Sequence, residues 1–354
     1  MNSKAATGTS PGEAEAARNR ARTAQRGGAL KSFILSVVLI GLLTVGALAA
    51  GGYVAYREAV KPGPLAADTV VALEQGMNVS QIADALGDAK AVRHPDLFRA
   101  AVRFRRVQSA LKAGEYLIPA GASVMEIIDR LVEGKSILHY FTAPEGLTTA
   151  QIIRLLDAEE RLAGGVTINA PEGGLLPETY ALTRGDTRDQ MIRRMMKAQA
   201  DLLDELWDER ATELPFSTRE EAIILASIVE KETGVAAERA RIAGVFVNRL
   251  KRGMRLESDP TIIYGLTEGE PLGRGLRVSE LKKKTPYNTY QIDGLPPTPI
   301  ANPGRDAIAA VLNPAQTDEI FFVADGTGGH KFASSLREHN RNVAQWRRIE
   351  RERR

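Results

Sequence analysis

The sequence predicts an α+β protein: an N-terminal transmembrane helix, a small α+β subdomain, and a larger mixed α/β domain. Three observations carry this. One uncharged apolar run is long enough to cross a bilayer. A pattern of short strand, Gly turn and capped helix recurs through the first half. In the second half, a helix that is apolar almost all round ends in two carboxylates.

The apolar run is Ser32–Tyr56, SFILSVVLIGLLTVGALAAGGYVAY, with no charge until Arg57. About 20 such residues span a bilayer as a helix. Lys4, Arg18, Arg20, Arg22, Arg26 and Lys31 precede it, while Arg57, Glu58 and Lys61 beyond it nearly cancel. The positive-inside rule then puts the N-terminus in the cytoplasm and the rest across the membrane. Ala47-Leu48-Ala49 resembles a signal-peptide cleavage site, but the long leader and long run favour an uncleaved anchor. Residues 1–31, rich in Ala, Gly, Ser, Thr and Arg without an apolar period, are expected to be a disordered cytoplasmic tail, with 32–56 as the transmembrane helix.

At 354 residues and 44% apolar content the chain has room for two or three packed domains. Much of the formal charge of +3 comes from Arg18–Lys31 and Arg341–Arg354, with no zinc spacing and no basic stripe interleaved with aromatics. Nucleic acid is therefore not an expected partner. The absence of cysteine removes thiol catalysis, disulfides and thiolate metal sites. His330 and His339 are the only basis for a metal-dependent alternative. With four histidines and no HExxH, neither a metal nor a cofactor is expected.

After a stiff linker, Lys61–Ala66, the recurring pattern begins. Its copies start at Gly76-Met77-Asn78, Gly121-Ala122-Ser123 and Gly146-Leu147-Thr148, and more weakly at Gly185-Asp186-Thr187. Gly makes a turn, Asn, Ser or Thr caps a short helix, and Ile, Leu or Met at i, i+1 and i+4 face a sheet. Strands are expected at Val70–Leu73, Glu115–Ile118 and Leu138–Ala143. Units of this kind resemble LysM-type sugar-binding modules, which gives a LysM-like subdomain at 67–143. The alternative is a plain packing unit without a ligand.

The second half centres on Leu225–Asn248, read as a helix, a break at Gly234 and a second helix closed by Gly253. Ile223, Ile224, Leu225, Ala226, Ile228 and Val229 make the first a core helix. At about 100° per residue, Glu232 shares the face of Leu225, Ile228 and Val229, whereas Glu230 turns towards Ile223 and Ala226. A carboxyl ending an apolar stripe is partly desolvated, which raises its pKa. An acid still protonated near neutral pH suits general-acid cleavage of a sugar bond. The turns that follow are rich in Asn, Tyr, Asp, Ser and Pro. A helix at Asp306–Leu312, a buried strand at Ile320–Val323, a turn at Asp325–His330 and a last helix at Ser334–Arg351 complete the chain.

Six blocks in order carry a family resemblance: LASIVEKET (Leu225–Thr233), VFVNRL (Val245–Leu250), GMRLESDPTIIYG (Gly253–Gly265), TPYNTY (Thr285–Tyr290), GLPPTPIANPG (Gly294–Gly304) and VADGTGGHKF (Val323–Phe332). The chain resembles the endolytic murein transglycosylases of the MltG (YceG-like) family. The resemblance implies a single-pass inner-membrane protein with a catalytic YceG-like domain at 144–354 in the periplasm. It implies cleavage of the MurNAc–GlcNAc β-1,4 bond of nascent peptidoglycan to a 1,6-anhydro-MurNAc end, which terminates strand growth near the penicillin-binding proteins or other synthases. The catalytic Glu maps to Glu232, with Glu230 the alternative acid. The family's EGYLFPDTY segment is here Glu172–Tyr180, EGGLLPETY, without the internal aromatics. Asn248, Ser258, Asp259, Tyr287, Asn288, Tyr290 and His330 are the candidate substrate-binding residues. Each has an alternative as a cap, turn former or packed ring. The rival functions are a non-catalytic peptidoglycan-binding or scaffold protein and a hydrolytic muramidase.

Overall fold

The computed structural model describes residues 11–352. α1 (Pro11–Val60) includes the apolar run and starts 21 residues earlier than Ser32, inside the stretch expected to be disordered. That expectation is corrected from Pro11 on; residues 1–10 lie outside the described residues. The physical reason is local. Ala, Glu and Arg are good helix formers, Pro suits the first helical turn, and extending an existing helix avoids a new nucleus. Leu42 and Leu43 are each 65% exposed, so the apolar length of α1 finds no protein to pack on. This fits a single-pass membrane anchor.

The rest of the chain divides into two compact units, the first ending at Lys135 and the second running from Ser136 with the short pieces Ala72–Gly76 and Ala113–Glu115. In chain order the first part reads β1 (Thr69–Leu73), α2 (Val79–Asp88), α3 (Pro95–Arg105), β2 (Gly114–Ile118) and α4 (Val124–Glu133), with β1 beside β2. Ile82, Leu86, Phe98, Val102, Ile127 and Leu131 are buried. α3 was not expected. Its N-cap His94 makes no side-chain bond, so only Pro95 marks the start.

The second unit opens with the same plan: β3 (His139–Thr142), α5 (Thr149–Asp157), β4 (Thr179–Leu182) and α6 (Arg188–Asp208). β3 and β4 are antiparallel, with Phe141 opposite Tyr180. This pairing draws β3 into the second unit, whereas the sequence boundary was drawn after it, at 143. The four helices at the recurring motif start alike. Asn78, Ser123, Thr148 and Thr187 each accept from the third helical N–H, and Gln81, Glu126, Gln151 and Gln190 bond back to the cap. Gly76, Gly121, Gly146 and Gly185 precede them at φ of 86°, 68°, 73° and 91°, a region a Cβ disfavours.

α7 (Arg219–Glu232), α8 (Ala236–Lys251), α9 (Asp259–Thr267), α10 (Val278–Lys282) and α11 (Arg305–Leu312) follow, then the antiparallel pair β5 (Phe321–Ala324) and β6 (His330–Ala333), and α12 (Leu336–Glu352). Ile228 and Val229 of α7, Ile242 and Phe246 of α8, Ile308 and Val311 of α11, and Leu202 and Trp207 of α6 share one core. The break after α7 is made by extended Thr233, whose hydroxyl accepts from Val235 N–H, together with Gly234. Gly253, at φ 66°, follows α8 as a left-handed cap. β5 is only half-buried, not the buried strand expected, because α12 packs beside it without burying a residue of its own.

Asn302, fully buried, ties the start of α5 to the segment before α11. Its Nδ2 donates to Leu147 O and Thr149 Oγ1, and its Oδ1 accepts from Leu175 N–H at 2.9 Å. Asn302→Ala leaves buried groups unpaired. A loss of about 3 kcal/mol is expected, or roughly 6–12 °C in Tm, read by thermal unfolding. A shift of under a degree would show that water replaces the amide.

Candidate active site

Every residue from Ala222 to Val229 of α7 is buried, so the last turn of this helix has little freedom. That turn carries both carboxylates. Glu230 is nearly enclosed, its side chain 5% exposed. It accepts from Gly304 N–H at 2.9 Å at the start of α11 and lies 3.8 Å from Arg239. Arg239 also reaches Asp306 at 3.0 Å and Glu145 at 3.3 Å. Burial raises the Glu230 pKa, Gly304 N–H and Arg239 oppose the rise, and Glu145 and Asp306 add to it.

Glu232, two residues on, meets different partners. Its Oε1 accepts from Ser258 Oγ at 2.5 Å. Burial pushes its carboxyl up to about 7, the Ser258 bond pulls down, Asp259 pushes further up, and His330 and Arg249 pull down. The carboxyl is therefore protonated in a good fraction of molecules near neutral pH.

Ser258 is 2% exposed and fixed on its far side. Its N–H donates to Thr289 Oγ1 at 2.9 Å, and its carbonyl accepts from Thr261 Oγ1 at 2.7 Å. Glu257 before it sits at φ 52°, a strained conformation for a non-glycine residue. Two contacts hold Glu257 there: its N–H donates to Thr289 O at 3.1 Å, and its carboxylate accepts from Arg249 Nη1 at 2.9 Å. Arg249, 7% exposed, also donates to Ile320 O and Leu256 O, which pins this loop to the approach to β5. Exposed Asp259 accepts from Tyr290 OH at 2.8 Å. Burial, then Asp259, raises the Tyr290 pKa, so this hydroxyl keeps its proton.

His330 donates its backbone N–H to Glu238 Oε1 at 2.9 Å, and its Nδ1 lies 2.8 Å from Glu238 Oε2. A carboxylate only accepts, so Nδ1 carries the proton. The ring meets Phe322 edge-on at 5.3 Å.

Glu232, Ser258, Asp259, Tyr290 and His330 are thus linked by contact or by charge. Three of the expected binding residues are engaged elsewhere. Asn248 donates to Thr317 O and Glu319 O. Asn288, 1% exposed, donates to Glu280 O, Leu281 O and Lys283 O, and its Oδ1 accepts from Tyr290 N–H. Both amides close loops. Tyr287 bonds Thr298 Oγ1 at 2.8 Å and tilts against Tyr264, which donates to Glu172. The supports Arg249, Thr261, Thr289 and Glu238 were not singled out from the sequence. An arginine inside the apolar run Val245–Leu250 was the one visible signal.

Residues 71–345 match the YceG-like family. The chain is 31% identical to the endolytic murein transglycosylase of Bacillus subtilis over 300 residues, covering 76% of this chain and 82% of that protein. It is 29% identical to the endolytic murein transglycosylase of Streptococcus pneumoniae over 370 residues, covering 89% of this chain. It spans 65% of the length of that relative. A crystal structure of a YceG-like protein from Listeria monocytogenes is 28% identical, with a TM-score of 0.47 over 77% of this chain and 98% of that one.

The raised Glu232 pKa has a consequence for stability. The folded state holds this proton to about pH 7 and the unfolded chain only to about 4.5, so stability falls as pH rises through that window. Glu232→Gln removes the penalty. The variant should gain on the wild type between pH 4.5 and pH 7, by at most on the order of 3 kcal/mol and by less for the exposed part of the group. Denaturant unfolding at pH 5 and pH 8 reads the gap, and a gap independent of pH would mean an ordinary carboxyl.

Proposed function

Starting from the fact that the chain belongs to the YceG-like family, we propose that it is a membrane-anchored endolytic lytic transglycosylase. It cuts the MurNAc–GlcNAc β-1,4 bond of nascent peptidoglycan, leaves a 1,6-anhydro-MurNAc end and so terminates strand elongation. The observation that carries this reading is one half-buried carboxyl, Glu232, with a pKa pushed up to about 7 and one oxygen held by Ser258.

The chemistry follows from a single acid. A hydrolytic glycosidase needs two carboxylates flanking the bond. Here protonated Glu232 gives its proton to the glycosidic oxygen as the C1–O bond breaks. The N-acetyl oxygen of the sugar stabilises the positive anomeric carbon. The Glu232 carboxylate then takes the proton of the sugar's own 6-hydroxyl as O6 bonds to C1, which restores the acid. Because this nucleophile is intramolecular, no water has to be positioned. Ser258 holds Oε1, which leaves Oε2 to carry the proton. Asp259, Tyr290 and His330 supply donors and acceptors for the sugar's polar groups.

In this reading α1 anchors the chain in the cell inner membrane with its N-terminus cytoplasmic, and both units work in the periplasm. The strand–helix–helix–strand order from β1 to β2 supports a LysM-like glycan-binding role for the first unit. Peptidoglycan strands are the substrate, and penicillin-binding proteins or other synthases are the partners such a terminator needs.

Glu232→Gln should still bind strands and lose about 10²–10⁴-fold in cleavage. Glu230→Gln keeps an oxygen for Gly304 N–H and should retain most activity. Mass spectrometry of digested uncrosslinked strands decides: wild-type ends should be one water lighter than hydrolytic ends. Full-mass reducing ends would instead make the protein a muramidase, with Asp259 the first second carboxylate to test. Binding without cleavage by the wild type would leave a scaffold.

Ser258→Ala removes the bond that lowers the Glu232 pKa. Activity should fall in kcat, while its alkaline limb, near pH 7 in the wild type, moves to higher pH. A limb that stays in place would mean Ser258 does not touch the working acid.

A further inference from the structure

Where α1 ends, its side chains and those of α3 and α4 leave an open groove of about 560 Å³. Tyr56 and Ala59 of α1, Leu97, Ala101 and Phe104 of α3, and Met125 of α4 line it. The lining is apolar, yet the groove is open, and Phe104 stands 89% exposed at its edge. An aromatic ring that exposed beside an apolar groove marks a surface made for something other than water.

Its height on α1 says what covers it. The apolar run of α1 begins at Ser32, after Lys31. About 20 residues on, at Gly52, the helix has risen about 30 Å, the thickness of the hydrocarbon layer. The groove begins there, at the level where acyl chains give way to headgroups. Tyr53 and Tyr56, 61% and 58% exposed, stand at the same level, where tyrosine favours the membrane interface. Charge agrees. On α3 and its cap, Arg103 and Arg106 are exposed, and among the described residues no carboxylate pairs with either. Arg105, also lining the groove, is held by Asp129 at 2.6 Å. These two arginines flank Phe104 and Arg105 in the chain, and unpaired guanidiniums at that level suit phosphate oxygens above acyl chains.

We infer that the α1–α3–α4 groove and Phe104 are embedded in the leaflet where α1 leaves the membrane, taking phospholipid acyl chains, with Arg103 and Arg106 on the lipid phosphates. The inference rests on the membrane-anchored reading of α1. Its consequence is that the first unit lies on the bilayer surface and does not swing freely on residues Lys61–Ala66. A protein acting on newly made strands would then be held at the membrane face.

The chain has no cysteine, so single-cysteine variants each take one environment-sensitive fluorophore. Leu42→Cys, Phe104→Cys and exposed Asp88→Cys, in the full chain reconstituted in phosphatidylcholine–phosphatidylglycerol vesicles, make the test. The label at 42, about 15 Å along the run, should be quenched by lipids carrying a spin label deep on the acyl chain, the label at 104 by lipids carrying one high on the chain, and both should be shielded from iodide. The label at 88 should behave oppositely. Adding Arg103→Glu and Arg106→Glu should lose the lipid quenching at 104, and retained quenching would overturn the headgroup assignment. A label at 104 open to iodide while 42 is quenched by lipid would overturn the inference and leave the anchor standing. Shielding from iodide without lipid quenching would mean that protein covers the groove, which also overturns it. An unquenched label at 42 would remove the anchor itself, and the inference with it.

Discussion

Burial of α7 on every side is the constraint from which the site follows. From Ala222 to Val229 this helix has no wet face, so its core partners on α6, α8 and α11 fix its position. Its last turn must then emerge at one defined place. Two glutamates there carry a desolvation cost that the surroundings have to meet. Much of the polar structure nearby is how that cost is met.

The loops around Glu232 are held from within by polar side chains. Asn288, Asn302, Thr261 and Thr289 are almost wholly buried, and each is spent on the backbone or on another of these side chains. Arg249 donates its guanidinium to three carbonyls and one carboxylate. Networks of this kind rigidify when every member is satisfied and fail expensively when one is removed. They place Ser258 against Glu232 without Ser258 having to find the position itself. The left-handed Glu257 is the local strain this requires.

Such networks also explain what could be seen in the sequence and what could not. Elements written in local chemistry were legible. The Gly turns and Asn, Ser and Thr caps were visible because one short segment holds all the atoms involved. The two faces of α7 were visible because helix geometry separates residues 230 and 232. Elements that depend on distant partners were not. β4 exists through its ladder with β3, and β6 through its ladder with β5. The same distinction governs the site. Asn248 and Asn288 have the residue type of sugar ligands, but distant carbonyls at Thr317 and Glu319 claim the first amide, and the carbonyls of Glu280, Leu281 and Lys283 just upstream claim the second. No pattern within a segment tells an asparagine that closes a loop from one that meets a substrate. Ser258 stood out for its company, yet its hydroxyl meets Glu232 from a backbone that Thr289, on another loop, holds in place.

In the proposed reading, the two glutamates let one helix supply both a structural and a chemical acid. Burial raises both pKa values. Around Glu230 the compensation consists of fixed donors, Gly304 N–H and the Arg239 guanidinium, which favour the charged form and tie it to α11. Around Glu232 it is a single hydrogen-bonded hydroxyl, with His330 and Arg249 acting only by charge and opposed by the negative charge of Asp259. Fixed donors cannot leave, so a carboxylate neutralised by them is committed to the fold. A proton can leave and return, so a carboxyl neutralised mainly by its own proton is free to exchange it with a substrate. The last turn of a helix adds its own negative end to this bias, favouring the neutral form at 232. In that reading two residues of spacing separate a brace from an acid, because they turn the side chains towards different neighbours.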